Sequence, residues 1–152
     1  MDIHLQPVAF VKNTRTDLSD DFWGIVISEI ELAPGIPADA FNGIDEFSHL
    51  EIIFHFNQSD PSKVVYSGHP RGNKQWPHVG IFAQRKKDRP NALGLTVAEL
   101  IKKEENRIYV RYLDAIDGTP IIDIKPVMKE FLPKGTIKQP GWSNELMKEY
   151  WA

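Results

Sequence analysis

The residues best suited to chemistry lie in one charged segment, Gly80–Thr96, which reads GIFAQRKKDRPNALGLT. Arg85 and Arg89 each carry a planar guanidinium whose donors can grip a carboxylate or a phosphate at two points. Asn91 both donates and accepts hydrogen bonds, as recognition of an adenine edge requires. Gly94 leaves room where a ligand or another backbone could approach closely. These residues suit either a ligand site or a hairpin with charged side chains in which Arg-Pro-Asn only makes a turn.

The basic charge of the chain is concentrated around the same segment. Between Lys63 and Arg89 seven basic residues stand against one acid, so this stretch carries +6 while the rest of the chain carries −9. The net charge of −3 argues against a protein that coats nucleic acid with its whole surface. A basic segment on an acidic protein is typical of a confined anionic site, although residues 85–89 would also suit a solvated turn.

A second segment that could bind a ligand is the turn sequence Asp117-Gly118-Thr119-Pro120. Asp-Gly is a strong turn former because glycine accepts positive φ and aspartate hydrogen-bonds to its own backbone. Loops on rigid strands also carry function disproportionately. The free amides and carbonyls of this turn could therefore hold an adenine ring or the zwitterionic head of methionine, and a plain hairpin turn fits the same residues.

The third segment combines His69 and Arg71 with Lys74, Trp76 and His78. Basic side chains beside an aromatic ring suit a surface that binds phosphates and stacks bases of single-stranded RNA. The histidines of the chain lack the short spacing of a zinc site, so we expect no metal. The chain has no cysteine, which excludes disulfides, thiolate metal sites and cysteine nucleophiles.

Two familiar kinds of site are not supported by the sequence. Ser48 and His49 stand side by side, which could suggest nucleophilic catalysis. Neighbours on a strand point to opposite faces, so we expect a structural role for this pair. No Gly-x-Gly-x-x-Gly opens a helix after a strand, so a Rossmann-type cofactor site is not supported.

Short strands with period-two alternation must position these segments. The predicted strands are Pro7–Lys12, Gly24–Leu32, His49–Phe56, Val79–Ala83, Leu93–Val97, Arg107–Leu113 and Ile121–Ile124. Only Ser143–Tyr150 reads as a helix, with Ser143 as its N-cap. Many short strands and few helices favour a sandwich or a closed barrel over a doubly wound sheet.

Length and composition limit the architecture further. At 152 residues with 41% hydrophobic content, the chain fits one domain that buries a real core. The N-terminal residues lack the pattern of a signal peptide, and no apolar run reaches the roughly 18 residues of a membrane span. We therefore expect a soluble, cytoplasmic protein with a single domain over residues 1–152.

In this order, the segments resemble the TrmO/YaeB-like family, also described as TsaA-like. Its members are S-adenosylmethionine-dependent enzymes that methylate the exocyclic amine of threonylcarbamoyladenosine beside the tRNA anticodon. The matching stretches are FNGIDEFSHLEIIFHF (Phe41–Phe56), HPRG (His69–Gly72), Gly80–Thr96 and DGTPIIDIKP (Asp117–Pro126). The resemblance implies a single closed antiparallel β-barrel, usually a homodimer. With the predicted helix, the expected fold class is mostly β, with a short C-terminal helix.

The resemblance also implies roles for individual positions. The S-adenosylmethionine contacts fall on Arg85, on Leu95 through its backbone, and on the Asp117–Pro120 turn, with Phe56 and Asn57 on the adenosine side. Phe22-Trp23-Gly24 stands where the family has an early cofactor loop, with a poor match. The positions implied to bind the RNA substrate are Arg89, Asn91, His69, Arg71, Lys86 and Lys87. The resemblance identifies no general base.

Two departures from the family bear on substrate choice. The family's Arg-Ser-Pro-x-Arg-Pro-Asn-Pro-Ile is replaced by RKKDRPNAL at residues 85–93, and we expect no additional C-terminal domain. The function implied is an N-methyltransferase that uses S-adenosylmethionine and acts at the tRNA anticodon loop. One alternative is a methyltransferase of the same fold with another small-molecule or RNA substrate. The other is a non-catalytic barrel that binds RNA or nucleotides.

Overall fold

Six antiparallel strands close into a barrel in the computed structural model, which describes residues 1–152. The chain forms β1 (Ala9–Lys12), β2 (Ile27–Leu32), β3 (His49–His55), β4 (Ser67–Gly68), β5 (Val79–Gly80), β6 (Leu93–Glu104), β7 (Arg107–Arg111) and β8 (Pro120–Pro126). The order around the barrel is β1-β2-β7-β6-β3-β8, and pairing of β1 with β8 closes it. β4 and β5 form a separate two-stranded sheet. The predicted mostly β fold with a closed antiparallel barrel is confirmed.

Period-two alternation fills the barrel with apolar side chains. Leu50, Ile52 and Phe54 project inward from β3 and are at most 1% exposed. Ile108 and Val110 on β7 are completely buried. Since burying such a side chain contributes roughly 1.5–3 kcal/mol, this shared interior is the main source of the barrel's stability.

On the first part of β6, small residues face the interior of the barrel and large apolar residues face outward, which is the reverse of β3. Gly94, Thr96 and Ala98 face the interior, whereas Leu95 and Val97 are each 49% exposed. The ring of Phe54 explains the glycine, because a Cβ at position 94 would lie 2.4 Å from the Phe54 Cζ atom. The room that Gly94 leaves is therefore occupied by a side chain of the neighbouring strand.

Each of the seven predicted strands differs from the observed one in at least one boundary. The largest difference is in β6, which continues to Glu104 instead of ending at Val97. Three of the other differences have a local cause. β2 begins at Ile27 because the Val26 amide donates to the Trp23 carbonyl and makes a turn there. β5 ends at Gly80, and the next three residues form a 3-10 turn instead of continuing the strand. β7 ends at Arg111 because Tyr112 has a φ of +64°. Each of these three differences arises where a local turn hydrogen bond or left-handed backbone replaces the ladder.

The single α-helix, α1, spans Gly141–Leu146, so the predicted helix Ser143–Tyr150 was wrong in both boundaries. Pro140 is the N-cap residue, and the Ser143 hydroxyl lies inside the helix and donates to the Pro140 carbonyl at 2.6 Å. Proline favours a helix start because its missing amide would be unpaired there in any case. The residues after Leu146 form turns.

The last residues fold back onto the segment that precedes β2. The amides of Phe22 and Trp23 donate to the carbonyls of Glu149 and Tyr150 at 3.0 and 2.8 Å. Gly24 permits this approach, since a Cβ there would lie 2.0 Å from the carbonyl oxygen of Trp151. The C-terminal segment is thus fixed against the barrel by backbone hydrogen bonds. α1 is too short to cross a lipid bilayer, and no other helix is long and apolar enough to do so.

Candidate functional site

A cavity of about 330 Å³ lies between β6 and the charged loop that precedes it, residues 84–92. Its size is at the lower end of the range for small-molecule sites. The aromatic and charged side chains that line it are Phe54, Phe56, Phe82, Arg85, Arg89 and Asp114. Aromatic rings next to two guanidinium groups and one carboxylate can hold a ligand that is partly apolar and partly charged.

Arg85 is held in place by the strand it faces. Its Nη2 atom donates a hydrogen bond to the carbonyl oxygen of Leu95, and both residues line the cavity. A guanidinium has five donors, so this bond orients the group and leaves donors for a ligand. The structure therefore brings together two positions at which the resemblance implies cofactor contacts.

Arg89 lines the same cavity and organises the loop. Its Nη1 donates to the Gln84 carbonyl at 2.6 Å. The Nε2 atom of the Gln84 side chain in turn donates to the carbonyls of Gly68 and Val79, at 3.3 and 3.1 Å. The charged loop is thereby tied to the small β4–β5 sheet.

The turn that ends this loop is built from left-handed residues. Asn91 and Ala92 have φ values of +65° and +47°. The Ala92 carbonyl accepts the Phe56 amide at 2.8 Å, so the turn fixes the residue at the end of β3. Phe56 lines the cavity, whereas Asn91 and Asn57 are not among its lining residues.

Asp114 is a cavity residue that the sequence did not single out. Its two carboxylate oxygens accept hydrogen bonds from the hydroxyls of Thr96 and Tyr150. Burial, together with the neighbouring Asp114 carboxylate, raises the pKa of the Tyr150 phenol above its usual range. No spacing pattern in the sequence predicts this cluster, since its members come from β6, the β7–β8 connection and the C-terminal segment.

The Asp117–Pro120 turn is not among the residues that line the cavity. Asp117 Oδ1 accepts the Asn13 amide at 3.1 Å, and Gly118, at φ +81°, donates to the Val11 carbonyl at 2.8 Å. Thr119 is buried, and its hydroxyl donates to the Ile116 carbonyl at 2.7 Å. These groups of the turn are therefore bonded to β1, to the residue that follows β1 and to the Ile116 carbonyl.

The HPRG segment likewise has partners within the chain. Arg71 forms an ion pair with Asp21, with a 2.9 Å contact between Nη2 and Oδ1. His69 Nδ1 lies 2.7 Å from the Trp76 carbonyl, and the His69 ring packs edge-to-face on His78. The Arg71–Asp21 pair connects the excursion between β4 and β5 to the loop before β2, and the His69 contacts lie within the excursion.

Lys86 and Lys87 are half-buried and take part in none of the chain's salt bridges.

Ser48 and His49 do meet, with the hydroxyl 2.7 Å from the imidazole Nδ1. The prediction that they point to opposite faces was wrong, because Ser48 precedes the first residue of β3 and is not bound by its pleat. Neither residue lines the cavity.

Residues 21–131 match the family described as the tRNA-methyltransferase O N-terminal domain. A probable S-adenosyl-L-methionine-binding protein of Methanothermobacter thermautotrophicus is 35% identical over 136 residues, which is 86% of this chain and 93% of that protein. The human tRNA (adenine(37)-N6)-methyltransferase is 36% identical over 107 residues, which is 68% of this chain and 23% of that protein. The chain spans 54% and 22% of relatives in Pyrococcus abyssi and Mus musculus.

The barrel is also similar to a solved structure. A crystal structure of TrmO from Pseudomonas aeruginosa superposes with a TM-score of 0.74 at 23% identity, and the match covers 94% of this chain and 63% of that one. At this identity the likeness concerns the fold. The family match, in contrast, extends over more than half of the chain and contains the whole lining of the cavity. The chain therefore belongs to the tRNA-methyltransferase O N-terminal domain family.

Proposed function

We propose that this chain is an S-adenosylmethionine-dependent N-methyltransferase that acts on the exocyclic amine of threonylcarbamoyladenosine next to the tRNA anticodon. The observation that carries the proposal is one cavity in which Arg85, the Leu95 backbone and Phe56 meet. The names of the relatives support it, because they describe S-adenosyl-L-methionine-binding proteins and tRNA (adenine(37)-N6)-methyltransferases.

The residues of the cavity fit S-adenosylmethionine, which combines an amino acid head with an adenosine. Arg85 offers a fork for the carboxylate, and the Leu95 backbone is held beside it. Phe56 and Phe82 offer ring faces for the adenine. When bound, the cofactor supplies an activated methyl group on its sulfonium.

The contribution of the chain to the transfer is then mainly alignment. The bond to Leu95 presets the Arg85 guanidinium, so less side-chain freedom is lost when a carboxylate binds. Phe54, Phe56 and Phe82 give the cavity an apolar side. Holding the reacting nitrogen at near-attack distance from the methyl carbon lowers the barrier by converting a bimolecular step into a local one.

The RNA contacts proposed here are those of the basic segment. Lys86 and Lys87 have no ion-pair partner in the chain, and Arg89 lies in the cavity wall, so phosphates can be attracted close to the site. Asn91 lies at the turn beside them. His69 and Arg71 would reach RNA only by exchanging their present partners, and so their first role is to support the loops.

We also propose a homodimer whose cavity lies near the subunit interface. Phe82 is 81% exposed and Leu95 49% exposed, although both are apolar and both line the cavity. Val97 and Tyr66 add further exposed apolar surface, at 49% and 75%. An apolar rim around a small cavity favours completion of the site by a second copy. A tRNA substrate would place the protein in the cytoplasm.

The altered loop favours one second candidate, a methyltransferase of the same fold with a different RNA or small-molecule substrate. Residues 86–88 are Lys-Lys-Asp where the family has Ser-Pro-x, which removes a proline and adds two positive charges and one negative charge. A non-catalytic barrel that binds RNA or nucleotides would share the basic loop. These functions differ in whether tRNA is methylated and at which nucleoside.

The test has two parts. Calorimetry at millimolar S-adenosylmethionine, without added metal, should give heat of binding, and no heat and no thermal shift would contradict any methyltransferase function. Mass spectrometry should then show that tRNA from a strain lacking the gene gains 14 Da at threonylcarbamoyladenosine when protein and cofactor are added. Methylation of another nucleoside would support the second candidate. Cofactor binding without methylation of any tRNA would contradict the tRNA substrate.

A further inference from the structure

Asp114 is the only acidic residue that lines the cavity, and both of its oxygens are held. Thr96 donates its hydroxyl proton to Oδ1, and Tyr150 donates to Oδ2. Thr96 is 8% exposed, so its hydroxyl has little access to water. Two hydroxyls from distant segments fix one carboxylate in the wall that also carries Arg85.

The chemistry of the two donors makes this arrangement an acceptor site. Burial and the adjacent carboxylate raise the pKa of Tyr150, so the phenol stays protonated and donates throughout the ordinary pH range. A carboxylate oxygen has two lone-pair directions, and each oxygen of Asp114 uses one of them on a hydroxyl. One direction per oxygen remains for a further donor inside the cavity.

We propose that Asp114 accepts the proton of the methyl-accepting nitrogen, and that Thr96 and Tyr150 are positioning residues for its carboxylate; this rests on the proposed function. The nitrogen loses its proton to a free lone pair of Asp114 as its bond to the methyl carbon forms. The electron pair of the broken carbon–sulfur bond stays with sulfur, which becomes a neutral thioether. An amine conjugated to a purine and a carbamoyl is a weak nucleophile, so sharing its proton raises its reactivity.

The charged groups around Asp114 are compatible with this role. Arg85 and Arg89 line the same cavity and supply its positive charge. The charges of Arg85, in the charged loop, and of Asp20, in the segment before β2, also act on the pKa of Tyr150, which Arg85 lowers and Asp20 raises. Arg85 can hold an anionic part of a ligand while Asp114 receives a proton.

Asp114→Asn keeps the shape of the side chain and removes its basicity. The expected result is a single-turnover methylation rate lowered by about 100-fold, the range in which general-base groups contribute. Calorimetric affinity for S-adenosylmethionine and filter-binding affinity for tRNA should each stay within about twofold of wild type, since this role involves proton transfer. Asp39→Asn, at an exposed 3-10 turn, is the matched control and should leave all three quantities unchanged.

The positioning residues are tested with hydroxyl deletions. Tyr150→Phe and Thr96→Val should each lower kcat by about tenfold and leave KM for S-adenosylmethionine unchanged, because each loosens the carboxylate without removing it. Tyr112→Phe is the control, since the Tyr112 ring also packs on Trp151 but its hydroxyl has no bond to Asp114. Thermal melts identify variants that are merely unfolded, and Thr96→Val replaces one side chain by another of equal shape.

The outcomes separate this inference from the proposed function. A wild-type protein that neither binds S-adenosylmethionine nor methylates tRNA would contradict the proposed function. A wild-type protein that does both, with an Asp114→Asn variant of equal rate, would overturn only the role of Asp114. A variant whose cofactor affinity falls in parallel with its rate would also overturn it, because Asp114 would then be a cofactor ligand. A folded Thr96→Val variant with unchanged kcat would exclude the positioning role.

Discussion

Arg85 combines exposure with a fixed geometry. Its guanidinium is bound to the Leu95 carbonyl, so the group that faces the cavity has already lost much of its rotational freedom. A lysine at this position would keep the charge but lose the planar fork. The contribution of this residue to ligand binding therefore depends on geometry as well as on charge.

Arg85→Ala should weaken the binding of S-adenosylmethionine by about 10- to 100-fold, since hydrogen bonds to charged groups contribute roughly 1.5–3 kcal/mol. Arg85→Lys should recover only part of this loss. Calorimetry measures both variants, with Arg107→Ala as the control, because Arg107 forms ion pairs with Glu29 and Glu31 on the outside of the barrel. Equal affinity of Arg85→Ala and wild type would exclude Arg85 from the cofactor site.

Gly94 is a packing residue at the boundary between core and cavity. Gly94→Ala would place a methyl group against the Phe54 ring. The displaced ring would disturb both the core and the cavity. We expect a loss of about 1–3 kcal/mol in the free energy of unfolding, the usual cost of overpacking. Urea denaturation measures it, with Gly141→Ala as the control because nothing lies within 4 Å of its Cβ position. An unchanged midpoint would show that the ring can move freely.

At the scale of elements, the C-terminal segment supports the cavity residue Asp114 without lining the cavity itself. Its backbone pairs with residues 22 and 23, and Tyr150 reaches Asp114. Tyr150 and Trp151 pack against the small apolar cluster of Trp23, Val26 and Ile116. The segment is therefore part of the folded unit, and its attachment should be visible in the alkaline stability of the protein.

Tyr150 should make the free energy of unfolding fall with rising pH above 10. In the folded chain the pKa of Tyr150 is raised above its ordinary value of 10.0, so above pH 10 the unfolded chain loses a proton that the folded chain keeps. The difference amounts to at most about 1.4 kcal/mol per pH unit. Urea unfolding between pH 9 and 11 should show a shallower decline in Tyr150→Phe than in wild type. Tyr112→Phe should retain the wild-type slope, and identical slopes for all three proteins would contradict the raised pKa.

The charged loop should contribute to RNA binding through its lysines. Lys86→Ala/Lys87→Ala should weaken tRNA binding and reduce its salt slope by about one per lost phosphate contact, with little change in cofactor affinity. Adding Arg89→Ala would also release the Gln84 carbonyl, so the double variant is the cleaner test. Lys102→Ala/Lys103→Ala on β6 removes equal charge elsewhere and is the control. An unchanged affinity and slope would identify the loop as a solvated turn.

For the whole molecule, the exposed apolar side chains beside the cavity predict self-association. Light scattering should give about twice the 17.4 kDa of one chain. Val97→Asp on the outer face of β6 should produce monomers, because an unpaired carboxylate would be buried in the interface. Ile137→Asp, at a residue 69% exposed outside the barrel, should not. A monomeric wild type at high concentration would contradict the dimer.

Local patterns were sufficient to predict the strands and an architecture that is either a sandwich or a closed barrel, and the resemblance implied the closed barrel. Alternation with period two in segments such as 49–56 and 107–111 reflects which face of a strand is buried, and this is a property of consecutive residues. The turn at Asp117-Gly118 is likewise encoded by the conformational preferences of two residues, and Gly118 does adopt positive φ. The meeting of Arg85 with Leu95 was implied by the resemblance, and these residues are also close in sequence across one turn.

The tertiary structure alone decided which distant residues meet. Thr96, Asp114 and Tyr150 belong to three segments whose contact depends on barrel closure and on the path of the C-terminal segment, and neither is encoded in local spacing. The same dependence placed the Asp117–Pro120 turn against β1 and outside the cavity lining. Sequence patterns report the preferences of neighbouring residues, whereas a site is assembled by packing between residues far apart in the chain.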